Sequence, residues 1–243
     1  MPDFLEILRR RKVILSDGAM GTMLFERGLK PGDCPERMNL EDPAMLEEIA
    51  NLYLRAGAEI IQTNTFGASP LKLKPHDLDD RTEKITISAV KIAKRAAKEK
   101  AFVAASCGPC GSLLKPYGDT EPEEIREGFE RQIRAQISAG ADIIAIETMT
   151  DLIEAELAVK AAKAVSSSIP VSACMTFDST PKGFFTIMGV TISQAATRLA
   201  DAGADIIGSN CGNGIENMIR VAEEFKRVSN LPILIRSNAG FSR

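Results

Sequence analysis

An α/β barrel of the TIM type is the fold this sequence predicts, and two observations predict it. The first is a phrase written three times: AGAEIIQTN at 56–64, AGADIIAIE at 139–147 and AGADIIGSN at 202–210. In each copy a Gly suited to a left-handed helix cap is followed by an acid and then by a short β-branched run that reads as a strand. The second is that strand and helix patterns alternate along all 243 residues, a length ordinary for one barrel domain. The apolar runs lack polar alternation, so each strand is expected to be covered on both faces, as in a parallel sheet.

Taken in order, the apolar runs place strands at 13–16, 60–63, 102–105, 143–146, 171–175, 206–209 and 232–235. Apolar residues three and four apart, with charged outer faces, place helices at 43–56, 81–98, 123–139, 152–165, 193–202 and 215–228. Successive right-handed βα units follow, which favours a (β/α)8 barrel with about seven of its eight strands present over an open sheet. No linker or low-complexity segment divides the chain, so residues 1–243 are read as one domain. The irregular stretches 28–39, 69–80, 112–121 and 177–189 are expected as loops over the C-terminal mouth of the barrel, where such folds bind ligands.

Composition narrows the function. With 44% hydrophobic residues, 26% charged residues and a net charge of -3, the chain reads as a soluble globular protein with no electrostatic reason to bind nucleic acid or anionic membranes. No apolar run approaches the roughly 18 residues of a membrane span, and the N-terminus lacks the layout of a signal peptide, so a cytoplasmic location is expected. Five Cys, an odd number, do not resemble a secreted disulfide framework, and the thiols are expected to be reduced.

The repeated phrases end in polar residues, Asn64, Glu147 and Asn210, which fall at the C-terminal ends of their strands and form a candidate site. Glu147 is the sharpest of them, because a carboxylate closing an apolar run is costly unless paired. The first strand runs into Ser16-Asp17-Gly18-Ala19-Met20-Gly21-Thr22, where glycines let backbone N–H groups approach a ligand and Asp17 can hold a cationic group or cap the following helix. Cys211 follows the third phrase and is either a metal ligand, a nucleophile or a small buried hydrophobe. Cys107-Gly108-Pro109-Cys110 has thioredoxin-like spacing, but an irregular loop rather than a helix follows it, so two structural thiols are expected. The single His, His76, sits in a polar loop, which leaves no histidine triad or multi-histidine metal site.

These residues, together with Thr63-Asn64-Thr65-Phe66, Gly108-Pro109, Glu147-Thr148, Asn210-Cys211 and Asn238-Ala239-Gly240, resemble the homocysteine-binding domain of the homocysteine S-methyltransferases. The resemblance runs from about Ile14 to Gly240. It implies a TIM barrel, a zinc ion held by three Cys thiolates at the mouth, and transfer of a methyl group to homocysteine sulfur to give methionine. It also implies that Asp17 and Glu147 hold the substrate ammonium and that the Gly18–Ala19 backbone receives its carboxylate. Cys211 would be the first zinc ligand, with Asn64, Asn210 and Asn238 lining the pocket.

The other two zinc ligands of the family stand in a Gly-Gly-Cys-Cys-Gly phrase beyond the point where this sequence stops, at Phe241-Ser242-Arg243. The expected partners are homocysteine and a methyl donor or corrinoid protein, with cobalamin on a partner suggested by the phrase 17–23. The missing barrel unit is expected to leave edges open to self-association or to a complementing chain. The alternative is a non-catalytic remnant that keeps the amino-acid pocket without the zinc site.

Overall fold

The computed structural model describes residues 3–11 and 13–240. Its helices are α1 (Phe4–Arg10), α2 (Met20–Phe25), α3 (Met38–Glu41), α4 (Pro43–Arg55), α5 (Pro70–Leu73), α6 (Thr82–Ala97), α7 (Pro122–Ser138), α8 (Leu152–Val165), α9 (Ile192–Ala202) and α10 (Ile215–Val228). Its strands are β1 (Ile60–Gln62), β2 (Phe102–Cys107), β3 (Ile143–Met149), β4 (Val171–Met175), β5 (Asp178–Thr180), β6 (Gly183–Phe185), β7 (Ile206–Asn210) and β8 (Ile233–Arg236). Six of them form one parallel sheet in the order β1-β2-β3-β4-β7-β8, and β5 and β6 make a separate antiparallel hairpin inside the predicted loop 177–189. Sheet order follows chain order, as successive right-handed βα units require.

The predicted count of seven strands is corrected to six. The run 13–16 lies beside β1 but makes a single parallel bridge, Ser16 to Ile60. Leu15 O accepts from the Glu59 and Ile60 N–H groups, and the Asp17 N–H donates to Ile60 O. With a neighbour on one side only, Val13 and Leu15 stay 65% and 55% exposed, so the covered, two-sided setting that makes a buried strand is absent there.

The sheet is curled. β1 and β8 stand at opposite ends of its order, yet Arg236 of β8 donates to the side chains of Gln62 in β1 and of Ser16. Both faces of the sheet are covered, as the unalternating runs predict. Ile61, Val103, Ile144, Ile146 and Ile207 pack with Phe129, Ile133 and Phe225 of the outer helices. Ile60, Phe102, Ala104, Ile143, Ala145 and Ile206 face Phe4 of α1, which closes this inner side with an edge-on contact to Phe102 at 5.0 Å.

The repeated phrase has a structural meaning in each position. Gly57, Gly140 and Gly203 have φ of 101°, 95° and 107°, the left-handed conformation that lets each helix turn into its strand. The acid that follows binds the neighbouring strand. Asp142 accepts from the Val103 N–H and from Lys94 Nζ, both at 2.7 Å, and Asp205 accepts from the Val171 N–H at 2.8 Å and from Lys163 Nζ at 2.7 Å. Each acid satisfies a backbone donor near the start of a strand, where no further ladder bond is available. Among the described residues no helix is long and apolar enough to cross a membrane.

Candidate functional site

The C-terminal ends of the strands carry the polar residues, and the backbone there is strained. The pairing of β3 with β4 slips between Ile146 and Met149, and inside that bulge Thr148 has φ 59°. A β-branched residue in the left-handed region is held there only by its surroundings, and the bulge re-aims Glu147 beside it. Asn210, the last residue of β7, provides that hold: its Oδ1 accepts from the Thr148 N–H at 2.8 Å and its Nδ2 donates to Thr148 Oγ1 at 2.7 Å. Cys211 also has positive φ, 61°, and its Sγ lies 3.3 Å from Asn210 Nδ2 and 3.7 Å from Thr148 Oγ1. Glu147, Asn210 and Cys211 are therefore locked to one another through Thr148.

Across the mouth stands Asp17, whose side chain is 3% exposed. Its Oδ2 accepts from the Gln62 N–H at 2.6 Å, and its Oδ1 accepts from Ser16 Oγ at 3.2 Å and from Arg236 Nη2 at 2.6 Å. Burial pushes the Asp17 carboxyl up to about 6, with the Arg236 charge and the Gln62 and Ser16 hydrogen bonds pulling the other way. Arg236 Nη1 reaches Glu147 Oε2 at 3.2 Å and also bonds Gln62, while Glu147 Oε1 accepts from Ser106 Oγ. Asp17 and Glu147 thus face the same guanidinium.

Of the other predicted residues, Gly18 and Ala19 lie at this mouth against Tyr53. A β-carbon on residue 18 would sit 2.9 Å from the Tyr53 ring, and Tyr53 Oη donates to Ala19 O at 2.8 Å. Asn64 is engaged elsewhere: its Nδ2 donates to Pro35 O and its carbonyl accepts from Asn39 Nδ2, each at 2.7 Å, so it anchors the segment that leads into α3. Asn238 is exposed and connects through its backbone N–H to Asn213 O at 3.0 Å. The residues Phe241, Ser242 and Arg243 lie outside the described part of the chain.

Sequence reasoning missed Arg236 and Ser106, and it quoted Thr148 without giving it a role. Arg236 had a readable signal, a charge closing the apolar run Ile233-Leu234-Ile235, which is the same signal that marked Glu147.

The thiols do not assemble into a metal site. Among the described residues no group of three or more His, Cys, Asp or Glu side chains could hold a metal ion, and Cys211 is the one half-buried thiol, the other four being buried. The described residues therefore do not fit a three-thiolate zinc centre on their own. Cys107 and Cys110 are both pushed up to about 12, chiefly by burial, which leaves them protonated and unreactive. Cys107 Sγ donates to Gln136 Oε1 at 3.2 Å, as a structural thiol does. His76 lines an outer cleft with Arg37, Glu41 and Arg81, none of which lies on a sheet strand.

The family model for homocysteine S-methyltransferase matches residues 14–243. The chain belongs to the homocysteine S-methyltransferase family. Within this family it is 34% identical to the methionine synthase of Mycobacterium tuberculosis over 98% of its own length, which is 21% of that protein. It is 31% identical to betaine–homocysteine S-methyltransferase 1 of Danio rerio, covering 85% of this chain and 50% of that one. The chain thus spans half the length or less of these two relatives. Among solved structures, the metallated form of the homocysteine methyltransferase MmuM from Escherichia coli superposes with a TM-score of 0.83 at 23% identity, covering 97% of this chain and 86% of that one. That likeness shows the fold, and it identifies the curled sheet as TIM-barrel-like.

Proposed function

We propose that this homocysteine S-methyltransferase domain binds homocysteine by its amino-acid end at Asp17 and Glu147 and directs the thiol toward Cys211, for methyl transfer that yields methionine. The observation that carries the reading is the pairing of two acids on one cation at the mouth, with Cys211 fixed beside Glu147 through Asn210 and Thr148. An α-ammonium carries the same charge as that cation and fits the same acceptors. Gly18 and Ala19 put main chain close to this point, in keeping with a role toward the carboxylate.

In the reaction the homocysteine sulfur attacks the methyl carbon. The S–CH3 bond forms as the bond to the donor breaks with its electron pair, and the thiol proton is lost. The donor is proposed to be a corrinoid-bound methyl group on a partner, on the strength of the phrase 17–23. Zinc is proposed as the group that would stabilise the thiolate, with Cys211 as one ligand; the described residues bring together no set of three ligands that would hold it.

The test is methionine formation from homocysteine by the purified chain, with zinc ion and, in turn, methylcobalamin, S-methylmethionine, S-adenosylmethionine and betaine. The expected result is methionine with at least one donor, lost in Cys211→Ser. Homocysteine binding with no methionine from any donor would instead establish the alternative, an amino-acid pocket without catalysis.

A further inference from the structure

Among the described residues Arg236 is the one cation in contact with both Asp17 and Glu147, and it leaves neither acid free. Its Nη2 donates to Asp17 Oδ1 and to Ser16 Oγ, and its Nη1 donates to Glu147 Oε2 and to Gln62 Oε1. The remaining oxygens are also engaged, Asp17 Oδ2 by the Gln62 N–H and Glu147 Oε1 by Ser106 Oγ. All four carboxylate oxygens therefore accept from the chain itself. The guanidinium in turn is incompletely satisfied, since its buried Nε has no partner. Its side chain is 18% exposed, so it stands at the border of the network rather than at its bottom, where Asp17 lies at 3%.

We propose that Arg236 is a specificity-determining residue that occupies the acid pair as an internal cation and must be displaced from it before an amino-acid ammonium can bind. The proposal rests on the homocysteine reading for the identity of that ammonium, but not for the occupancy itself. The physical reason is acceptor geometry and charge. An ammonium needs up to three acceptors, and here it meets carboxylates already bonded and a fixed positive charge about one hydrogen bond away. The competing arrangement, in which Arg236 stays in place and binds the substrate carboxylate, would use the Nε and leave the ammonium without free acid oxygens. Displacement makes substrate binding an exchange of one cation for another. It disfavours ligands that lack a cation, which cannot replace the guanidinium on the two acids.

The experiment compares the 243-residue chain with its Arg236→Met and Arg236→Gln variants, using two probes at about pH 8, where Asp17 is ionised. Methylammonium titrations are followed by 13C NMR of the Asp17 and Glu147 carboxyl carbons, and L-homocysteine binding by calorimetry. We expect methylammonium to shift both carboxyl signals in a folded variant and not in the wild type, and homocysteine to bind about tenfold more tightly to the variant. A purely structural Arg236 would move neither in that direction. If methylammonium enters a folded variant but homocysteine binds no form of the chain, the occupancy stands and the homocysteine reading falls. If homocysteine binds the variants about tenfold more weakly, or methylammonium enters no variant, the proposal is overturned. The Gln variant keeps a polar group toward Ser16 and Gln62, so it guards against loss of folding in the Met variant.

Discussion

Asp17 gives the mouth a pH-sensitive group. Its carboxyl is raised in the folded chain from an ordinary 3.8 to about 6, so between those values the folded state holds a proton that the unfolded state has released. Stability from this group is therefore full below the ordinary carboxylate range and is lost as pH rises through about 6. A shift of this size corresponds to about 3 kcal/mol. Denaturant titrations are expected to show the stability difference between wild type and Asp17→Asn shrinking by roughly that amount from about pH 4 to pH 7. A difference that is flat with pH would refute the raised value. With an ammonium bound at Asp17 as proposed, ligand binding should have the opposite trend, because the ammonium needs the ionised acid: homocysteine affinity is expected to rise as pH passes about 6, and not to do so in Asp17→Asn.

Single residues also show what the sequence could and could not reveal. Glu147 was legible because a charge closing an apolar run demands a partner, and the partner, Arg236, carried the same mark. The contacts of Asn64 were not legible, since the phrase that located it at a strand end says nothing of where a side chain turns. Its amide is held by Pro35, a contact made through a loop whose path the local pattern does not encode.

At the scale of the element, the repeated phrase explains itself. Asp142 joins β2 to the start of β3 and draws Lys94 of α6 onto the same point. Removing the acid leaves a backbone N–H without its acceptor, whereas removing the lysine loses only a partly exposed ion pair. Asp142→Ala is expected to cost about 2 kcal/mol and Lys94→Met about 0.5 kcal/mol, measured by urea unfolding. Equal costs would contradict this division of roles.

The glycines differ in the same way. Gly203 caps α9 with φ 107°, and an added β-carbon would meet only the Lys163 side chain, at 3.2 Å. At Gly208 in β7 an added β-carbon would lie 1.8 Å from Leu234 O of β8. Gly203→Ala is expected to lower stability by about 1–2 kcal/mol through backbone strain. Gly208→Ala should cost more than about 3 kcal/mol, because the strand pair must separate. Thermal melts of the two variants check the order.

For the whole molecule, helix and strand alternation was enough to predict a parallel sheet wrapped by helices, and the curled sheet of the homocysteine S-methyltransferases is what formed. The miscount at residues 13–16 has a plain cause. An apolar run looks the same whether one neighbour or two lie beside it, and only the assembled sheet decides which. Helix α1 was invisible to the barrel pattern for a related reason: it belongs to no βα unit, and its role of covering the inner face through Phe4 exists only once the sheet has curled.

Arg236 joins β8 to β1 and to the 13–16 segment, so the opposed edges and the candidate site share one residue. The acids at this junction are proposed to recognise an amino-acid ammonium. The decisive measurement is calorimetric titration of the chain with L-homocysteine and with 4-mercaptobutyrate, which keeps the thiol and carboxylate but lacks the amine. Homocysteine is expected to bind, with affinity for 4-mercaptobutyrate lower by about a hundredfold and that preference lost in Glu147→Gln. Equal affinity for the two ligands, or a preference that survives in Glu147→Gln, would contradict it.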